Sequence, residues 1–122
     1  MPMSEIIDVS QAILEKIDEI EKLKKTHKDI IDRASEAMSS YDRELALTIV
    51  RLRNGVAIPI GDEIVKDPPA LLIERLAKGI VWEKKLESDR LQGYLSGIKS
   101  NLMATQAQLN GLQSINRHLS DI

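Results

Sequence analysis

From Ser4 to Asn54 the chain contains neither proline nor glycine. Over that span apolar residues recur at alternating spacings of four and three: Ile13, Ile17, Ile20, Ile31, Ala34, Met38, Tyr41, Leu45, Thr48 and Leu52. Lys24 and His27 fill the two interrupted places, with Leu23 and Ile30 beside them. Such a period over several heptads specifies one long helix with a coiled-coil stripe. Ser4 can cap it, and Glu5 and Asp8 stand where the helix dipole favours acids. The outer positions Lys16, Asp18, Glu19, Glu21, Lys22, Lys25 and Lys28 read as a solvated face. A helix of about 50 residues is about 75 Å long, and a domain this small rarely supports one alone.

Asn54-Gly55 supplies a helix stop. Val56, Ile58 and Ile60 then alternate with period two, and Gly61-Asp62 suits a two-residue hairpin turn. Pro59 restricts its strand to an edge or a position without a ladder bond. The segment therefore reads as a short β-hairpin or a loop. Asp67-Pro68-Pro69 restarts a helix, with Asp67 as the candidate cap. Its apolar positions are Leu76, Ile80, Leu91, Leu95, Ile98, Leu102, Leu109, Leu112 and Leu119. Between Trp82 and Arg90 the stripe thins to Trp82 and Leu86. The expected fold is mainly α. It is one helical-hairpin domain, residues 1–122, in which two antiparallel helices (about 4–53 and 69–119) form a coiled coil with a tip at about 54–68. Assembly into an oligomeric helical bundle is expected as well.

The composition agrees with a thin core. The chain has no Phe, one Trp and two Tyr, whereas compact cores draw much of their buried area from aromatics. A net charge of −2 argues against nucleic acid as the default partner. The absence of cysteine removes disulfides, thiolate catalysis and Cys-based zinc sites. The opening Met1-Pro2-Met3-Ser4-Glu5 lacks a basic-then-apolar leader, and no apolar run nears membrane-spanning length. The expectation is a cytoplasmic protein without a membrane partner.

Chemistry-bearing patterns are sparse. His27 and His118 are far apart, and the acid groups Glu15/Asp18/Glu19 and Asp29/Asp32/Glu36 are interleaved with Lys or Arg, as in intrahelical ion pairs. Neither a phosphate loop nor a Ser/His/Asp grouping with a Gly-rich elbow is present. We expect no enzymatic activity, no cofactor and no metal site.

The most informative stretch is the last one. From Leu91 to Ile122 only Lys99, Arg117 and Asp121 carry formal side-chain charge. Gln92, Ser96, Asn101, Gln106, Gln108, Asn110, Gln113 and Asn116 stand where charges usually do. Small residues recur there at Gly93, Gly97, Ser100, Ala104, Ala107, Gly111 and Ser114. This row lies about 200° round the helix from the Leu95–Ile98–Leu102 row. Small residues admit a second helix backbone, so the row is the candidate oligomer or partner contact, with amide layers fixing register. A second candidate is a basic tip for an anionic partner, nucleic acid or a nucleotide: Arg51, Arg53, Lys66, Arg75, Lys78, Trp82 and Lys85, with Lys84 nearby.

The order long helix, hairpin, long helix, with Ile60-Gly61-Asp62-Glu63-Ile64-Val65-Lys66 at the turn, resembles β-type prefoldin subunits. That likeness implies a holdase chaperone. The stretches Glu63-Ile64-Val65-Lys66-Asp67-Pro68-Pro69 and Gln106 to Arg117 resemble small helical proteins of tailed phages and prophages of Gram-positive bacteria. That likeness implies a phage-encoded accessory protein that binds a host or phage component of replication, recombination or defence. Both fit a non-enzymatic interaction protein that binds itself and a second protein.

Overall fold

The computed structural model describes residues 3–120. Met1 and Pro2, read above as part of a leaderless start, and Asp121, one of three late charges, lie outside it. The chain is mainly helical with one small antiparallel sheet. Its elements are α1 (Met3–Arg53), β1 (Ile58–Ile60), β2 (Glu63–Val65), a 3₁₀ turn (Ala70–Leu72), α2 (Ile73–Ile80) and α3 (Trp82–Ser120). No helix among the described residues is long and apolar enough to cross a membrane. Two compact units are distinguished: one runs up to Ile31 and resumes at Tyr94, and the other is Asp32–Gly93.

In the second unit the end of α1 is closed by glycine. Gly55 has φ +76°; its amide donates to Leu52 O at 3.2 Å, and the Val56 amide donates to Arg51 O at 3.0 Å. This pair of bonds satisfies two terminal carbonyls and requires the left-handed residue that glycine supplies. A Cβ at Gly55 would also lie 2.9 Å from Asp67 Oδ1. β1 and β2 pair in the register Ile58↔Val65, Pro59↔Ile64 and Ile60↔Glu63. Of the two turn residues only Gly61 has positive φ, +55°, which matches a type II′ turn. In such a hairpin Ile60 and Glu63 exchange the first ladder bonds, so the next pair, which includes Pro59, makes none. Proline is therefore tolerated.

Two expectations are revised here. Asp67 does not cap the next helix. It sits at φ +47° against Gly55, and the 3₁₀ turn begins after Pro69 without a side-chain cap. The second helix is also divided. Val81, at φ −97° and ψ 23°, separates α2 from α3. Val81 N still reaches Ala77 O at 3.1 Å, and on the far side of the break Lys84 N reaches Val81 O, only three residues back, at 3.1 Å. Neither proline nor glycine occupies the break, so no local signal marks it.

The hairpin leans on a small core. Leu52, Ile73 and Ala77 are buried, and Leu45, Ile49, Ile58, Val65, Leu76 and Ile80 pack against them. This contact supplies the support that a lone hairpin lacks. Farther along the same unit, Ala34, Ala37, Ser88 and Leu91 are buried. Three of those four are small, which fits closely approaching helices.

In the other unit the buried and half-buried positions of α1 are Ile6, Val9, Ala12, Ile13, Lys16, Ile20, Leu23, His27 and Ile30. On α3 they include Leu95, Ile98, Leu102, Thr105, Leu109, Leu112, Asn116 and Leu119. Every α3 position expected here from the large apolar residues faces inward. On α1 the stripe is displaced. Ile17, Lys24, Ile31 and Met38 are exposed, while Leu23, Ile30 and Ala37 turn inward.

Candidate interaction surfaces

The seven small residues of α3, from Gly93 to Ser114, are all exposed. A Cβ added at Gly93, Gly97 or Gly111 would meet nothing within 4 Å. Packing within this chain therefore does not require those glycines, although each costs about 1 kcal/mol relative to alanine in a helix. Large apolar side chains stand exposed on the same helix at Tyr94, Met103 and Ile115. The amides are partly organised: Gln106 Nε2 donates to Asn110 Oδ1 at 3.1 Å. Ala107 also borders a groove of about 420 Å³ with Ile20, Lys24, Leu102, Met103, Gln106 and Asn110. Its floor is apolar, and its α3 wall carries no charge.

The cations expected at the tip all belong to the unit Asp32–Gly93, where they occupy separate places. Arg51 borders a cleft of about 610 Å³ together with Lys84, Glu44 and Glu83, and Val56, Ile58 and Ile80 also line it. Arg75 and Lys78 border a shallow depression with Leu71 and Glu74, and Lys78 is paired with Glu74 at 3.4 Å. Lys85 bonds Asp89 at 3.1 Å and lies 5.4 Å from the centre of the Tyr41 ring, within cation–π range. The hydrogen bond to Asp89, more than its charge, raises the Lys85 pKa above 10.5. What this adds to stability is complete below the ordinary lysine value and is lost only as pH climbs through the raised one. Arg53 and Lys66 are exposed, and Trp82 is more than half exposed. The structure thus joins Arg51 with Lys84 and Arg75 with Lys78, and gathers the seven expected residues into no single site.

Among the described residues no cluster of three or more His, Asp or Glu side chains could hold a metal ion. His27 lies in the inward row of α1, and its Nε2 is buried with no hydrogen-bond partner. The sequence reading missed one surface. Leu14, Ile17 and Ile31 are exposed beside the inward row, although the four–three spacing places Ile17 and Ile31 within it. Only the choice between neighbouring apolar positions such as Ile30 and Ile31 distinguishes the two readings. No family model, curated protein or solved structure matches the chain.

Proposed function

We propose that this chain is an oligomeric coiled-coil interaction protein that acts by binding rather than catalysis. On this reading the small-residue row of α3 packs against a helix of a second copy, and the assembly presents its remaining surface to a partner protein. The observation that carries the reading is the two-sided character of α3. From Leu91 onward, large residues are turned inward and the opposite side is small and open, on a stretch of helix whose only formal charges among the described residues are Lys99 and Arg117. Water offers no reason to strip charge from an exposed helix face, whereas helix packing does.

The test is Ala104→Glu. Glutamate is a good helix former, so an exposed substitution leaves the fold intact, while a carboxylate in a helix contact costs several kcal/mol. We expect circular dichroism to be unchanged and the sedimenting mass at low micromolar concentration to fall below that of the parent chain. An assembly that tolerates the glutamate would refute this contact.

A further inference from the structure

Two asparagines of this chain precede a glycine, in Asn54-Gly55 and Asn110-Gly111, and the structure holds them differently. A glycine in that place leaves its main-chain nitrogen open to the asparagine side chain, because no Cβ shields it. Asn110 lies inside α3 (Trp82–Ser120), where the helix ladder holds the Gly111 amide. Its Oδ1 also accepts a hydrogen bond from Gln106 Nε2 at 3.1 Å. Asn54 is the exposed turn residue just past α1. Its side chain makes no hydrogen bond among the described residues, and the Gly55 amide is held by one bond of 3.2 Å, to Leu52 O. We propose that Asn54 is a site of spontaneous modification, which the chain itself converts to aspartate and isoaspartate and which thereby unfastens the end of α1.

Local opening separates the two positions. A terminal turn frays at little cost, whereas the interior of a helix opens only together with its neighbours. Once the Gly55 amide leaves Leu52 O, it gives its proton to hydroxide and its nitrogen attacks Asn54 Cγ. The N–Cγ bond forms, the bond from Cγ to the side-chain nitrogen breaks, and that nitrogen leaves as ammonia with a proton taken from water. Water then opens the cyclic imide. Cleavage at Cγ restores the ordinary main chain as aspartate. Cleavage at the main-chain carbonyl leaves isoaspartate, in which the main chain runs through Cβ and Cγ. Either product weakens the cap. A carboxylate at a helix C-terminus opposes the helix dipole, and Asp67 already sits against Gly55. Arg51 and Arg53 in the last turn offset part of that charge. They do not offset the longer main chain of isoaspartate. It displaces Gly55 from the place where its amide and that of Val56 reach Leu52 O and Arg51 O.

The test is incubation of the full chain in warm, mildly alkaline buffer, followed by peptide mapping with mass spectrometry. In the folded chain Asn54 is expected to convert at least about tenfold faster than Asn110. In concentrated urea the two should convert at similar rates. Equal rates in the folded chain, or an Asn54 that stays intact there while converting in urea, would overturn the proposal. The consequence for the fold is read by amide exchange. Gly55, Val56, Ile58 and Val65 should exchange about tenfold faster in the converted chain, the factor that goes with losing one or two net hydrogen bonds. An Asn54→Gln chain treated alike should keep the parent's exchange, since its longer side chain closes the ring far more slowly. Conversion that leaves exchange unchanged would overturn the unfastening of α1. None of these readouts depends on self-association.

Discussion

Leu52→Ala is expected to destabilise the Asp32–Gly93 unit by about 2–5 kcal/mol. Leu52 is 2% exposed and is the largest fully buried side chain among the described residues. It stands between Ile73 and Ala77, and Ile58 and Val65 of the hairpin lie against the same cluster. Truncation removes about three methyl or methylene groups and leaves a cavity, and the two costs add. Repair from nearby is limited. Ala77, with no accessible surface, has no rotamer with which to fill the space, and Gly55 and Pro59 hold the chain on either side of the hairpin's entry. A two-stranded hairpin three residues deep has little stability of its own. Amide exchange of Ile58, Ile60, Glu63 and Val65 should therefore quicken along with the fall in urea midpoint. A loss below about 1 kcal/mol, with hairpin exchange unchanged, would mean that the hairpin does not depend on this cluster.

His27→Leu is expected to act in the opposite direction, raising stability by about 1–3 kcal/mol. The imidazole lies in the inward row of α1, between Leu23 and Ile30, and its buried Nε2 has no partner. A buried polar atom that gives up water without a replacement bond costs that much, and leucine removes it while filling similar volume. Leucine is also the better helix former. His27→Ala separates the two effects. It removes the orphan nitrogen but leaves a cavity, and should fall below the leucine variant by the packing term alone. The readout is the thermal midpoint at fixed protein concentration, because assembly shifts it by mass action. A leucine variant no more stable than the parent would show that Nε2 has a partner in solution.

The parts of the fold that local chemistry dictates are legible in the sequence. Gly55 ends α1 because a left-handed residue is needed there, and Gly61 makes the turn for the same reason. Pro59 sits where the ladder asks for no amide. The inward row of α3 could be read from Leu91 onward because its large residues have few apolar rivals on adjacent positions. The α1 row was displaced where rivals exist. Ile30 and Ile31 are chemically equal, and Met38 outweighs Ala37 in hydrophobicity although Ala37 turns inward. Closely packed helices select the smaller side chain there, and only the partner helix reveals it. The break at Val81 was hidden for a related reason. Val81 itself is neither proline nor glycine, and the nearest glycine, Gly79, lies within the last turn of α2. The candidate surfaces were half legible. The small row of α3 is visible as a pattern, but the Leu14–Ile31 face is visible only once its members are known to point outward.

Self-association is the claim on which the functional reading stands. The most direct measurement is the molar mass of the purified chain by sedimentation equilibrium, diluted from about 100 μM to about 0.1 μM. That range brackets the affinities expected of contacts of ordinary size. A mass that is a multiple of 13.7 kDa at the upper end, and that falls reversibly on dilution or holds throughout, is the expected result. A mass of one chain at every concentration would contradict it.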